Sequence, residues 1–237
     1  VNLFSVVIPA YNEEHFLPHT LGAVQRAAAQ LGEPVEIIVA DNCSTDATAD
    51  VARSHGATVV TVTTRCISTV RNQGAAAATG RYLVFVDADD QMSENLLVEV
   101  RKVMESGRYV GGGVARTQYD RQSWGIRITH GFVQFGLSFT GLSMFLFYLS
   151  ADDFRTLGGF DEKLLSTEDF DFAKRLRALG RARGLRYKNL RSAWLIKSSR
   201  KFKEYGDWMF LRHPVLSIKA AMNNPEVAHE LWYKPRR

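Results

Sequence analysis

The sequence predicts an α/β domain, a mostly parallel sheet with helices on both faces. Three observations carry that prediction. Apolar runs at 3–9, 35–41, 57–62 and 82–87 alternate with helical stretches at 13–31, 45–54, 66–79 and 93–106. The runs are continuous rather than alternating, as in strands covered on both faces. Three of them end in polar clusters, "AYNEE", "DNCSTD" and "DADD". Parallel strands present such loops along one edge, where ligands bind.

Each element has a local reason. "LFSVVIP" (3–9) is a strand, too short to span a membrane and unlike a signal peptide. "VEIIVAD" (35–41) delivers Asp41 at its end. In "DNCSTDAT", Ser44 or Thr45 offers an N-cap to the helix at 45–54, and Ser93 before Glu94 does the same for 93–106. "ATVVTV" (57–62) is the third strand, and "YLVFVD" (82–87) is the fourth. In "YVGGGVART", a further strand, Gly111, Gly112 and Gly113 imply a bulge or a close backbone approach. The stretch 131–150 has no charge and is long enough to cross a bilayer. Its glycines, hydroxyl side chains and Gln134 oppose that, because polar groups are costly at the bilayer centre. The expectation is an interfacial or acceptor-facing helix that gives way to a strand from Met144. "GGFDEKLLSTEDFDFAKRLRALG" reads as a turn and then a helix ending at Gly180.

With 237 residues, 46% of them hydrophobic, the chain suits a single domain. Within it, 1–120 forms the α/β ligand-binding half, 121–212 a second half with its own acidic motif, and 213–237 a tail. Two cysteines, Cys43 and Cys66, indicate a reducing, cytoplasmic setting without a disulfide framework. Net charge is +5, yet 172–203 holds twelve Lys or Arg and no acid. That block is either a solvated basic helix face or a surface for an anion: a phosphate, a nucleic acid or a lipid leaflet.

The chemistry concentrates at Asp87, Asp89 and Asp90. Like charges crowded at a strand end need neutralising. An Asp-x-Asp pair there can hold Mn²⁺ or Mg²⁺ through one or two carboxylates, with substrate phosphates completing the shell. Glu168 and Asp169 open a helix, whose dipole favours their ionised forms. They point about 100° apart, so one of them is expected to face a substrate. Asp171 competes for that role.

"VVIPAYNEE", "IIVADNCSTDAT", "RNQGAAAATGRYLVFVDADD" and "LGGFDE…STEDFDFAKRLR" together resemble the family 2 glycosyltransferases, over roughly 3–180. The resemblance implies the GT-A fold and an inverting, metal-dependent transfer from a nucleotide sugar, UDP- or GDP-linked, to a hydroxyl of a carbohydrate or lipid-linked acceptor. It implies that Pro9, Ala10, Tyr11 and Glu13 touch the nucleoside and that Asp41 bonds the base. Asp87, Ala88 and Asp89 fall to the ribose and the metal-diphosphate, with Asp87 and Asp89 as metal ligands. Arg71 and Asn72 lie near the diphosphate, and Asp169 is the base with Glu168 beside it. Many relatives supply a further metal ligand from a histidine about thirty residues on. "IKSSRKF" stands there instead, leaving His213, or Lys197 and Arg200 taking over part of the charge.

The uncharged stretch 131–150, the basic block and "EYGDWMFLRHP" also suggest peripheral contact with a cytoplasmic membrane face. Rival readings fare worse. A nicotinamide-binding fold needs a glycine-rich turn where "PAYNEE" stands, and an aspartyl phosphatase carries its Asp-x-Asp after the first strand. A basic module binding nucleic acid or another anionic surface, without transferase activity, predicts metal-free, steeply salt-dependent affinity. No nucleic-acid partner is expected.

Overall fold

The computed structural model describes residues 2–143 and 145–208, so the tail 213–237 and His213 lie outside the described residues. In chain order the first half runs β1 (Phe4–Ala10), α1 (Leu17–Leu31), β2 (Val35–Asp41), α2 (Thr48–Ser54), β3 (Thr58–Thr61), α3 (Ile67–Ala76) and β4 (Tyr82–Phe85). Then come β5 (Gln91–Met92), α4 (Leu96–Glu105), β6 (Tyr109–Tyr119), α5 (Trp124–Thr140) and β7 (Phe147–Ser150). Last are α6 (Ala151–Leu157), α7 (Glu168–Ala182), β8 (Arg186–Lys197) and α8 (Arg200–Tyr205).

The strands form one sheet in the order β3-β2-β1-β4-β7-β6-β8-β5. β1 pairs in parallel with β2 and β4, and β2 with β3. β7 runs antiparallel to both β4 and β6, and β6 is parallel to β8. Two reversals cancel, so β1, β2, β4, β6 and β8 all end at the same edge. That edge is where the polar clusters meet.

Alternate residues of β1 feed two cores. Phe4, Val6 and Ile8 pack under α1 and α4 with Leu17, Leu21, Leu97 and Val100. Val7, with Leu83 and Phe85, packs on the other face against Phe154, Phe160, Phe172 and Leu176. The glycine run works as expected. A Cβ on Gly112 would sit 1.8 Å from the Lys188 carbonyl oxygen, and one on Gly113 would sit 2.4 Å from the Ser143 Cβ. These contacts let β6 lie close to β8 and to the segment before β7.

Several expectations need correcting. α1 starts at Leu17 rather than 13, with Pro18 in its first turn. Ser44 and Thr45 do not cap α2, which begins at Thr48 behind Ala47, and Asn95 rather than Ser93 precedes α4. α7 continues two residues past Gly180 to Ala182. The basic block is not one helix face, because its second half is strand β8. The uncharged stretch, by contrast, passes from helix to strand as expected, in α5 and β7. Among the described residues no helix is long and apolar enough to cross a membrane.

Candidate active site

The loops after β1 and β2 are tied to each other. Asn12 and Cys43 both hold positive φ, 53° and 52°, a conformation open mainly to Gly, Asn and Asp, so the loops must hold Cys43 in it. The Asn12 backbone donates to Ser44 Oγ at 2.9 Å, and the Thr45 backbone returns a bond to Asn12 Oδ1 at 2.8 Å. The Glu13 backbone donates to Thr48 Oγ1 at 2.8 Å. Ser44 therefore stitches the loops instead of capping a helix. Pro9 and Ala10 are buried in β1, opposite Ala40 and Asp41. Asp41 is buried at the end of β2, with the Ser44 N–H 3.3 Å from its Oδ1. Tyr11 lies under the guanidinium of Arg65, 4.3 Å from ring centre to carbon. Arg65 escaped the sequence reading because the end of β3 carries no acidic or polar cluster. The basic residue following "TVTT" was the available signal.

Three cations neutralise the acidic end of β4. Arg71, buried on α3, donates to Asp87 at 2.9 Å, to Asp169 at 2.7 Å and to Glu168 at 3.3 Å. Lys197, at the end of β8, donates to Asp90 at 2.6 Å. Arg200 bridges Glu13 at 2.7 Å and Asp89 at 3.1 Å. The structure thus gathers Asp87, Glu168 and Asp169 on Arg71, and Glu13 and Asp89 on Arg200. Ala88 is buried, its carbonyl accepting from Thr20 Oγ1 at 2.7 Å.

An aromatic platform sets the start of α7. Phe160 stacks on Phe172 at 4.1 Å and meets Phe85 edge-on at 5.2 Å. Asn72 does not face the edge. It bonds both the N–H and the C=O of Phe160, at 2.9 and 3.0 Å, and so pins the turn before α7 to α3. Glu168 and Asp169 both reach Arg71, at 3.3 and 2.7 Å. Both accept from Arg71 Nη1, while Nη2 serves Asp87. Asp171 is held by Arg175 at 2.6 Å and makes no contact with Arg71.

The electrostatics also differ from expectation. Burial pushes Asp169 up to about 8 against the pull of Arg71, so the helix dipole does not decide its titration. Burial likewise pushes Asp90 up to about 8 despite Lys197. Arg71 and Lys197 are also raised: burial lowers them, but their carboxylate partners more than compensate and hold both firmly charged.

No group of three or more His, Cys, Asp or Glu among the described residues is arranged to hold a metal. Mn²⁺ and Mg²⁺ ask less of a protein when a diphosphate supplies oxygens. Asp89 meets that lesser demand, being a quarter exposed with one oxygen on Arg200. Around it, six carboxylates face three cations. The residues fit a divalent cation that arrives with a diphosphate, not a pre-formed cage. Beside Asp89 a cavity of about 220 Å³ opens between His15, His19, Asp120 and Lys197. That is below the roughly 300–1,000 Å³ of a complete ligand pocket.

The sheet order, with acidic residues gathered at the parallel strand ends, is that of the GT-A fold. Solved structures agree on the fold. Residues 1–349 of TarS from S. aureus, in complex with UDP, superpose with a TM-score of 0.61 at 18% identity, covering 98% of this chain and 72% of that one. The mannosyltransferase PcManGT from Pyrobaculum calidifontis, in complex with GDP-Man and Mn²⁺, gives 0.62 at 16% identity, covering 97% and 78%. Residues 5–167 match the model of the family described as Glycosyl transferase family 2, and the chain belongs to that family. A curated relative, undecaprenyl-phosphate 4-deoxy-4-formamido-L-arabinose transferase of Serratia proteamaculans, is 35% identical over 132 residues, 51% of this chain. The chain spans 38% of that relative's length.

Proposed function

We propose that the chain transfers a sugar from a UDP- or GDP-linked donor to an acceptor hydroxyl, with inversion at the anomeric carbon. The observation that carries this is Arg71, which ties the acidic end of β4 to the first residues of α7. Asp87 and Asp169 share one guanidinium, which supports a reading with Asp87 on the donor side and Asp169 as the base. Pro9, Ala10, Tyr11 and Glu13 flank the nucleoside, and Asp41 accepts from an N–H of the base. Asp87 faces the ribose. Asp89 would hold Mn²⁺ or Mg²⁺ together with the diphosphate, with Asp87 alongside, and the ion would offset the charge that builds on the leaving group.

Asp169 accepts the proton of the acceptor hydroxyl. The acceptor oxygen bonds to the anomeric carbon as the bond to the diphosphate oxygen breaks, and the electron pair leaves with the diphosphate. A base works best when its pKa lies near working pH, which supports a burial-raised carboxylate. Retention by double displacement would need a second carboxylate acting as nucleophile. Glu168 is held on the same guanidinium as Asp169, and Asp171 is held by Arg175. The Serratia relative's name supports a lipid-linked acceptor, and with it peripheral work at a cytoplasmic membrane face.

Titration calorimetry with UDP and GDP, with and without Mn²⁺, tests the donor reading. One of the two should bind, more tightly with the ion, and Asp89→Ala should remove the Mn²⁺-dependent part. Equal binding with and without Mn²⁺ would sink the metal assignment, and no binding of either nucleotide would sink the donor.

A further inference from the structure

α5 presents two unlike faces where it begins. Inward, Ile126 and Thr129 are buried, and His130 bonds Thr117 Oγ1 at 2.8 Å while meeting Tyr119 edge-on at 5.4 Å. These contacts fix the roll of the helix on β6. Outward, one turn apart, Trp124 is 75% exposed and Ile128 is 39% exposed. Trp208, 38% exposed, follows Asp207 in the chain, and Asp207 packs against the Gly125 backbone: a Cβ there would lie 2.8 Å from the Asp207 Cβ. Arg121 ion-pairs with Asp207 and locks this turn to the helix.

Arginines flank this apolar tip, and the carboxylate packed on it, Asp207, is paired with Arg121. Arg127 lies over the Trp124 ring at 5.3 Å, and Lys203 is exposed nearby in sequence on α8. From 121 to 151 the chain has no acidic residue. Exposed tryptophan with arginine at its rim suits the boundary of a lipid leaflet, where the ring enters the headgroup layer and the cation stays with the phosphates. Position agrees with chemistry: α5 starts from the end of β6, at the edge where β4 and β8 also end and where Asp87 and Lys197 stand.

We propose that the first two turns of α5 and the turn at 206–208 form a docking edge for an anionic lipid leaflet. Docked there, the chain holds the acidic edge of the sheet toward the leaflet. This rests on the lipid-linked acceptor reading for its purpose, while the contact rests on the surface alone.

The test is co-sedimentation of the full chain with vesicles of phosphatidylcholine, alone or mixed with phosphatidylglycerol. Binding is expected on the mixed vesicles and should fade as salt rises. Arg127→Glu should weaken it about tenfold or more, and Trp124→Ser with Ile128→Ser at least as much. UDP or GDP titration of the same variants should match wild type, so failure of the donor reading would be seen separately. The proposal is overturned if the variants bind vesicles like wild type, if neutral and anionic vesicles are bound equally, or if neither is bound. It is also overturned if sedimentation velocity shows the double variant breaking a dimer while vesicle binding persists, which would make the patch a contact with a second copy.

Discussion

Arg71 holds three carboxylates that lie 16, 97 and 98 residues from it in sequence. Removing one partner of a buried ion pair leaves charge uncompensated, at a cost of about 3–5 kcal/mol. We predict that Arg71→Ala loses stability on that scale in urea denaturation. Arg71→Lys should retain more stability but, without the planar fork, should not hold Asp87 and Asp169 together. Asp169 gives a pH prediction. Burial pushes its carboxyl up to about 8, so below that pH it is protonated and cannot accept a proton. Donor hydrolysis with water as acceptor should therefore rise with pH through a limb near 8, a limb absent in Asp169→Asn. The same shift lets the folded state bind this proton more tightly than the unfolded chain does. Its contribution to stability therefore falls as pH climbs from about 4 to about 8. At this scale the acids were legible, because carboxylates at strand ends stand out against apolar runs. Their cationic partners, Arg71, Lys197 and Arg200, were named only through the family resemblance, since nothing local reports which carboxylate each one reaches across so long a loop.

Elements were legible where a period held. β1, β2 and β4 are continuous apolar runs and were placed within a residue or two. β8 was missed because its period breaks: its buried residues are Leu190, Ala193 and Leu195, spaced by three and then two, and its pairing with β6 shifts between Val114 and Arg116. Its arginines and lysines reinforced the impression of a helix face. Helix starts were missed where side chains that look like caps serve elsewhere, as Ser44 does in accepting from Asn12. Two predictions belong here. Phe160→Ala removes the centre of the aromatic platform under α7 and should cost about 3–5 kcal/mol. It should also lower donor turnover through the displaced start of α7. Gly112→Ala would drive a methyl into the Lys188 carbonyl. Its melting temperature should fall well below that of an alanine change at Gly131, where a Cβ meets nothing within 4 Å.

Across the whole molecule, charge that looked like a single basic block is distributed by the fold. Arg175 and Arg183 pair with Asp171 and Asp153, while Lys197 and Arg200 turn into the acidic edge. The pairing of β8 explains this, since Ile196 lies opposite Gln91 of β5 and the end of the basic block is thereby delivered to the acidic segment between β4 and β5. A nucleotide that binds this edge should stabilise the entire chain, by about 2.7 kcal/mol at a hundred times its dissociation constant. The central claim, that Asp169 is the base of a transfer whose donor is held elsewhere, comes down to one comparison. Asp169→Asn is assayed for release of nucleoside diphosphate from the UDP- or GDP-sugar that binds, with the donor's dissociation constant measured on the same sample. A positioned base is worth about 10²- to 10⁴-fold in rate. The account predicts a fall of that size with donor affinity unchanged, and turnover near wild type would contradict it.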